Sequence, residues 1–301
     1  MDSAKRRSRS DKIFDVFLFI ALTFVFFIVA YPLYFIVISS ISDPVPVARG
    51  EVIWRPIGFT LDGYKAVFKE KDVLRGYGNS LIYTVVGVCV NLIVTIPTGY
   101  ALSRKDFFAR KPIMYMYLIT MFIGGGMMPT YLVVKNTGIM NTMWSLILPE
   151  AITVYNLIVC RTFFASNIPE ELRDAARLDG CGNTRFFFYI VLPLSGAITA
   201  IMVLYYGVGH WNNYRNALLY LTDRTKWPLQ MELRNILLLN SMRQTSAIMT
   251  AEELAEKARL EALVEMMKYS LIVVSCVPMM ILYPFIQKYF VKGVMIGSVK
   301  G

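Results

Sequence analysis

Side chains that could carry catalytic or metal-binding chemistry are few in this sequence. The single histidine, His210, cannot build a metal site, so we interpret it as a packing or hydrogen-bonding residue. The four cysteines, Cys89, Cys160, Cys181 and Cys276, follow no metal-ligand spacing, so we interpret them as small packing residues. The G-x-x-x-x-G-K-[S/T] pattern of a phosphate loop is absent. We therefore expect no catalytic residue, no metal and no nucleotide on this chain.

Long stretches without charge dominate the sequence instead. Of its 301 residues, 56% are hydrophobic and 17% are charged, against about 25% charged residues in soluble domains. Asp, Glu, Lys and Arg are absent from residues 16–42, 76–103, 112–134, 186–214 and 269–287, and residues 136–160 contain only Glu150. Because about 20 apolar residues cross a bilayer as a helix, we predict an all-α integral membrane protein with six transmembrane helices.

The predicted spans divide the chain into one membrane domain and two tails. We place the spans at residues 13–38, 77–102, 113–134, 142–163, 190–211 and 268–288. The outer loops then cover 39–75 and 212–267, and a polar inner loop covers 164–192. The transmembrane domain is 13–290, between an N-terminal tail (1–12) and a C-terminal tail (291–301). Gly124–Gly126 should break the third span where it faces protein.

Lysine and arginine are concentrated in alternate connections. The net charge is +10, and residues 1–12 hold five of these cations, 103–112 four, 161–192 four and 288–300 three. Since positive residues mark the cytoplasmic face, we predict that both termini lie inside the cell. The cations are not clustered on a soluble domain, so we expect no binding to nucleic acid.

The inner loop after the fourth span carries an ordered set of helix signals. Asn167 can cap a helix, Pro169 suits its first turn, and Glu170 and Glu171 complement its positive end. Gly180 can end the helix in the left-handed conformation. The loop is therefore predicted to form a compact helix below the membrane.

A second short helix should follow and complete a helix–turn–helix knob. Asn183 or Thr184 can cap it over residues 186–189, and Pro193 then opens the fifth span. The small pair Ala175-Ala176 in the first helix would allow another surface to approach closely.

The loop resembles the EAA motif of the permease subunits of bacterial binding-protein-dependent ABC importers. Asp174-Ala175-Ala176 is followed after three residues by Gly180 and, nine residues later, by Ile190-Val191-Leu192-Pro193. Asp174 replaces the usual glutamate and keeps its charge. In that family the loop is the coupling helix, which sits in a cleft of the ATPase subunit. The resemblance implies the type I ABC importer permease fold and a coupling role for Glu170, Glu171, Arg173, Asp174, Ala175, Ala176, Asp179 and Gly180.

Other segments resemble carbohydrate permeases of the maltose class, namely residues 59–64, 79–81, 99–104 and 287–301. Residues 211–214 and 221–223 are closer to a subgroup that handles complex oligosaccharides and polysaccharide fragments. The resemblance implies that Ser298 and Lys300 in the C-terminal tail reach the ATPase. It leaves open whether the oligosaccharide is neutral or contains uronate.

The resemblance also implies a set of partners in the bacterial cytoplasmic membrane. They are a second homologous permease, an ABC ATPase dimer that binds ATP and Mg, an extracytoplasmic solute-binding protein, the oligosaccharide and the lipid bilayer. The chain itself would bind no cofactor and would not be an enzyme. Transport would follow alternating access, driven by closure of the ATPase dimer.

Glu150 is the one charged residue away from the ends of the predicted spans, and an ionisable residue in a membrane suggests a function. It could hydrogen-bond sugar hydroxyls in the pathway, pair with a partner subunit, or lie at the outer interface. Side chains that suit a sugar are Tyr155, Asn156, Trp211, Asn212 and Asn213. Interfacial anchoring is the competing interpretation for Trp211.

Three other functions compete with this interpretation. An ABC permease for a non-sugar solute would share every feature of the inner loop. An ion-coupled secondary transporter predicts internal repeats and several charges within the spans, whereas the spans hold one glutamate. An intramembrane enzyme would need a catalytic constellation, which is missing from the sequence.

Overall fold

The fold is described from a computed structural model, which covers residues 9–242 and 267–284 together with Val264 and Gln287. Every regular element within these residues is helical. The chain divides into two compact units, one of Met1–Glu70 with Ile236–Val274 and the other of Lys71–Asn235 with Ser275–Gly301.

The first unit begins with a long apolar helix, α1 (Arg9–Ser40), which is followed by the short helices α2 (Pro44–Ala48) and α3 (Asp62–Lys69). Helix α1 exposes apolar side chains around its whole circumference, as expected of a helix whose solvent is lipid. The Asp43 carboxylate accepts a 2.9 Å hydrogen bond from the Val45 amide and so caps α2.

The helices from residue 71 to residue 242 are α4 (Lys71–Ser103), α5 (Arg110–Phe122), α6 (Met127–Asn136), α7 (Trp144–Glu150), α8 (Val154–Asn167), α9 (Glu170–Leu178), α10 (Asn183–Leu194), α11 (Gly196–Trp211), α12 (Arg215–Tyr220) and α13 (Leu229–Met242). A final helix, α14, covers Met267–Pro284.

The core of the second unit forms where α4 packs lengthwise against α8 and α11. Tyr100 of α4, Phe164 of α8 and Met202 of α11 are buried together there. Gly99 allows the close contact with α8, because a Cβ atom at this position would lie 2.7 Å from the Cys160 sulfur. Glycine is therefore needed at this crossing for steric reasons.

Three of the helices, α1, α4 and α14, are long and apolar enough to cross a membrane singly. Three pairs pass the same test together but are bent, with angles of 117° between α5 and α6, 52° between α7 and α8, and 77° between α10 and α11. The described residues therefore contain between three and six spans. The break between α5 and α6 contains Gly124–Gly126, which confirms the predicted interruption there.

Two predicted helix starts in the inner loop are wrong. Asn167 is the last residue of α8, where its side-chain amide donates to the Phe163 carbonyl at 2.9 Å, and it does not cap α9. Gly182, not Asn183 or Thr184, is the N-cap of α10. The Asn183 carboxamide oxygen instead accepts a hydrogen bond from Arg104 at 2.9 Å. A bond within α8 has displaced the cap at Asn167, and a long-range bond to Arg104 has displaced the cap at Asn183.

A helix already precedes Pro193, the residue predicted to open the fifth span. Helix α10 continues to Leu194, and the chain bends at Ser195 before α11 begins. A π-helical turn at Phe187–Val191 shifts the hydrogen-bond register just ahead of the proline. Pro193 therefore sits in the first turn of a new register, where its missing amide proton costs little.

The cysteines differ in burial, although the sequence suggested one packing role for all four. Cys160 is fully buried in the core, as expected of a packing residue, whereas Cys89 and Cys276 are exposed. Within the part of the chain that the structure describes, no group of three or more histidine, cysteine or acidic residues could hold a metal ion.

Candidate functional site

Helix α9 and the turn that ends it form the first candidate site. Its first turn carries Glu170 and Glu171 and its last turn carries Arg177, so its charges complement the helix dipole at both ends. Gly180 follows in the left-handed region with φ of 72°, as predicted. The next amide, that of Cys181, donates to the Ala176 carbonyl at 2.8 Å and satisfies one of the last free carbonyls of the helix.

The two alanines of the motif face different surroundings. Ala176 is buried and packs into the core beside Phe186, whereas Ala175 is exposed. Ala176 therefore fastens α9 to the core, whereas Ala175 is accessible on the surface of the chain. Leu178 is 90% exposed beside Gly180, a feature that the motif did not single out. Glu171, Asp174 and Asp179 are exposed on the same helix and its end.

Asp106, in the turn between α4 and α5, holds α9 in place. Its carboxylate accepts hydrogen bonds from Arg104 (2.9 Å from Nε), Arg173 (2.8 Å) and Arg177 (3.5 Å). Two connections of the predicted inner face thereby meet in one charge cluster. Sequence reasoning missed Asp106, because it counted only the cations of residues 103–112.

The charge cluster shifts the pKa values of Asp106 and Arg104. The hydrogen bond from Arg104, together with the charges of Arg104 and Arg173, holds the pKa of Asp106 well below its ordinary range. The same hydrogen bond to Asp106 raises the pKa of Arg104. The Asp106 carboxylate is therefore charged, and its ion pairs are intact, throughout the physiological range of pH.

Further bonds attach the same turn to the loop. Lys105 donates to Glu170 at 3.3 Å, and Arg161 donates to the Leu102 carbonyl at 3.1 Å. These residues border a cavity of about 410 Å³ between the turn and α9, which Arg110 and Arg173 also line. The coupling candidates Glu170, Glu171 and Arg173 therefore lie on one continuous surface with the turn.

The second candidate site lies around the bend between α7 and α8. Glu150 ends α7, and its carboxylate accepts hydrogen bonds from the side-chain amides of Asn216 at 2.8 Å and Asn213 at 3.4 Å. Asn212 lies beside them and is exposed, and its amide donates to the Val208 carbonyl. The structure thus brings three of the predicted pathway residues together.

A buried network of side chains satisfies backbone groups that have no helical partner at this bend. The Asn91 amide donates to the Glu150 and Ala151 carbonyls at 2.7 and 2.9 Å, and Asn91 Oδ1 lies 2.6 Å from His210 Nε2. The Thr153 amide donates to the Tyr206 hydroxyl. Irregular backbone is tolerated at membrane depth only when it is satisfied in this way. His210 is a hydrogen-bonding residue, as predicted, whereas Asn91 was missed.

A cavity of about 660 Å³ adjoins this bend. Glu150, Tyr155 and Asn156 line it together with Tyr205 and His210. The rings of Tyr155 and Tyr205 lie 6.3 Å apart and are tilted by 37°. The cavity therefore combines aromatic faces with hydrogen-bonding groups, as a sugar site requires.

Trp211 occupies a different position. Its ring is buried, it packs edge-on against Tyr77, and its indole N–H donates to the Ser275 carbonyl at 2.9 Å. These contacts favour a packing role for Trp211. Ser298 and Lys300, the predicted tail contacts, lie outside the described residues.

Curated proteins of similar sequence match nearly the whole chain. It is 37% identical over 293 residues to the polygalacturonan/rhamnogalacturonan transport system permease protein YtcP of Bacillus subtilis (strain 168), covering 97% of this chain and 99% of that protein. It is 38% identical over 294 residues to Protein LplC of the same organism, with coverages of 98% and 97%. It is 29% identical over 300 residues to the arabinooligosaccharides transport system permease protein AraQ of Halalkalibacterium halodurans, with coverages of 98% and 100%.

A similar chain occurs in the crystal structure of a bacterial ABC transporter involved in the import of the acidic polysaccharide alginate. The TM-score is 0.83 and the sequence identity 29%, with 94% of this chain and 99% of that chain covered. No family model matches the sequence.

Proposed function

This chain belongs to the permease subunits of ABC sugar importers, and we propose that it forms one half of the membrane pathway for an oligosaccharide. Permeases of this family are integral membrane proteins and hydrolyse no ATP themselves, since that activity lies in separate subunits. The match over nearly the full length of YtcP carries the proposal. Relatives named for arabinooligosaccharides and rhamnogalacturonan support an oligosaccharide or polysaccharide fragment as cargo.

The proposed topology has six spans with both termini in the cytoplasm. Each bent helix pair then counts as one span, which with α1, α4 and α14 gives six. The bond between Asp106 and Arg173 supports this topology, because it requires the turn after α4 and the loop after α8 to be on one side. The transmembrane domain would cover 13–290, with tails at 1–12 and 291–301.

Helix α9 is proposed to be the coupling helix that docks into the ATPase. Its outward surface carries Glu171, Asp174, Ala175 and Leu178, while Ala176 and Asp106 fix its inner side. An exposed leucine surrounded by charge suits insertion into an apolar cleft with a charged rim. Motion of the ATPase would then be transmitted to α4 through Asp106 as a rigid-body displacement.

The proposed assembly contains a second homologous permease, an ATPase dimer that binds ATP and Mg, and an extracytoplasmic solute-binding protein. The outer loops 39–75 and 212–267 would receive the binding protein. The tail residues Ser298 and Lys300 would contact the ATPase.

The proposed pathway passes the cavity beside α7 and α8. Glu150, Asn212 and Asn213 would hydrogen-bond sugar hydroxyls, and Tyr155 would present an aromatic face to a sugar ring, next to the amide of Asn156. Charge-assisted hydrogen bonds to a carboxylate are among the strongest available to a hydroxyl.

The test is reconstitution of the chain in liposomes with its partner permease, ATPase and binding protein. We expect binding protein loaded with an oligosaccharide to stimulate ATP hydrolysis and to drive uptake. Stimulation by a non-sugar solute alone would refute the oligosaccharide assignment. Uptake driven by an ion gradient without any ATPase would refute the importer itself.

A further inference from the structure

The cavity between α9 and the turn after α4 is rich in positive charge. Its lining includes five cations and two carboxylates, namely Arg104, Lys105, Arg110, Arg161 and Arg173 with Glu170 and Glu171. Asp106, which accepts hydrogen bonds from Arg104 and Arg173, adds a third carboxylate beside it. The described residues around the cavity therefore keep an excess of two positive charges, which favours an anionic occupant.

Arg110 and Arg161 supply this excess. Arg110 donates to the Arg104 carbonyl at 3.4 Å, and Arg161 donates to the Leu102 carbonyl at 3.1 Å. Neither guanidinium pairs with a carboxylate among the described residues. Both side chains are partly buried, and their remaining N–H groups are accessible. Two guanidinium groups with free N–H donors in one cavity match the oxygens of a phosphate group.

The start of α5 adds to the positive potential. Its N-cap, Ala109, makes no side-chain hydrogen bond, and no acidic residue lies in its first turn. The positive end of the helix dipole is therefore not compensated locally, and Arg110, the first residue of the helix, lines the cavity.

The surroundings of the cavity favour a lipid over a free anion. Phe164, Ile168 and Phe186 line the cavity beside the cations. Phe108, in the turn that the cavity borders, is 93% exposed, and exposed aromatic side chains are typical of a membrane interface. Helix α5, which follows this turn, buries none of its residues. A ligand with an anionic head and an apolar body therefore fits better than inorganic phosphate.

We propose that this cavity binds a phosphate group, supplied by the headgroup of an anionic phospholipid of the cytoplasmic leaflet. The inference rests on the proposed topology, which places the ends of α4 and α8 and the start of α5 on the cytoplasmic side. Basic pockets between spans on that side are suited to anionic headgroups. The bound phosphate would meet Arg110 of α5 and Arg161 of α8 together, and so would join the same two connections that Asp106 links.

The test is photo-crosslinking of a lipid to the purified importer complex. Phosphatidylglycerol with a photoreactive group in its headgroup is added to the complex in detergent, and the crosslinked peptides are identified by mass spectrometry. We expect crosslinks within residues 104–110 and 161–173. Unlabelled phosphatidylglycerol should compete, whereas phosphatidylcholine, whose amine offsets the phosphate charge, should not. Equal competition by inorganic phosphate would assign the site to a free anion and overturn the lipid assignment.

Matched variants separate the cavity from general surface charge. Arg110→Gln combined with Arg161→Gln should lower the yield of these crosslinks at least about tenfold, because each basic residue near an anionic headgroup contributes about fivefold to the affinity. Arg110→Lys with Arg161→Lys keeps both charges and should retain most of the yield. Lys111→Gln with Arg185→Gln removes the same charge at exposed positions outside the cavity and should leave the yield unchanged.

The outcomes distinguish this site from the proposed function. Equal crosslinking of the wild type and the double glutamine variant would overturn the inference. Loss of the ATPase from that variant, without any crosslink in the wild type, would show that the cavity receives the partner protein instead. Oligosaccharide uptake is measured on the same complex. Crosslinking without uptake would overturn the proposed function and leave this site, whereas uptake without crosslinking would overturn the site alone.

Discussion

The carboxylate of Asp106 accepts a 2.8 Å hydrogen bond from the guanidinium of Arg173, which lies 67 residues further along the chain. This bond joins the turn after α4 to the helix proposed to receive the ATPase stroke. Because α4 is also the helix against which α8 and α11 pack, a force applied to α9 can reach the core of the unit through this ion pair as well as through the buried Ala176. The position of α9 thus depends on a residue outside the motif that defines it.

The first prediction concerns this ion pair. Asp106→Asn removes the charge that Arg104 and Arg173 share, and we expect uptake to fall while the ATPase still hydrolyses ATP, because α9 is less firmly joined to α4. The loss of stability should be small, about 1 kcal/mol, as for other partly exposed ion pairs. Uptake and ATP hydrolysis measured on the same liposomes test the prediction.

Lys111→Gln is the matched control, since it neutralises one exposed charge next to the same connection. It should leave the ratio of uptake to hydrolysis unchanged. Equal loss of coupling in both variants would mean that the net charge of this connection, and not the ion pairs of Asp106, determines coupling.

The second prediction concerns pH. The pKa of Asp106 is lowered in the folded protein, so its contribution to stability is complete above its unfolded pKa of about 4 and is lost only as the pH falls through the lowered value. The difference in thermal stability between the wild type and Asp106→Asn should therefore stay constant from about pH 7 to pH 5 and shrink below about pH 4. A difference that vanished between pH 7 and pH 5.5 would contradict the lowered pKa.

The third prediction isolates the left-handed residue. Gly180 has φ of 72°, and a Cβ atom there would meet nothing within 4 Å, so Gly180→Ala changes only the backbone energy. We expect Gly180→Ala to raise the free energy of the folded loop by about 1–2 kcal/mol. The end of α9 should distort to relieve this strain, and the coupling of transport to ATP hydrolysis should therefore fall.

Gly182 provides the control within the same loop. Its φ is −71° and a Cβ atom would again meet nothing within 4 Å, so Gly182→Ala should be tolerated. If the two alanine variants coupled equally well, the conformation at Gly180 would have no functional role.

Local sequence patterns predicted the structural features that depend on a single segment of the chain. The apolar stretches indicated the helices, and Gly180 indicated the end of α9, because burial in lipid and a positive φ are properties of single segments. The roles of Asp106 and Asn91 could not be predicted in this way. Their partners, Arg173 for Asp106 and Glu150 and His210 for Asn91, lie 59 to 119 residues away in the chain. The failed cap at Asn183 has the same origin, since its side chain bonds the distant Arg104, whereas Asn167 bonds the Phe163 carbonyl four residues earlier.

The last prediction tests the tight crossing of α4 and α11. A Cβ atom at Gly87 would lie 2.5 Å from His210 Nε2, and the imidazole cannot easily retreat because it is bonded to Asn91. Gly87→Ala should therefore destabilise the subunit by about 1–3 kcal/mol, the usual cost of overpacking. Thermal unfolding of the purified complex, followed by loss of solubility, measures the effect.

Gly78, on the same helix, is the matched control, because a Cβ atom there meets nothing within 4 Å. Gly78→Ala should be neutral or stabilising, since alanine is the better helix former by about 1 kcal/mol.

A double-mutant cycle tests the contact between Gly87 and His210 directly. Adding His210→Ala to Gly87→Ala removes the clash, so the double variant should be no less stable than His210→Ala alone. The cycle would report this difference from additivity as coupling between the two sites. Strict additivity of the two substitutions would show that Gly87 and His210 do not meet, and that the close approach of α4 to α11 is not what glycine provides.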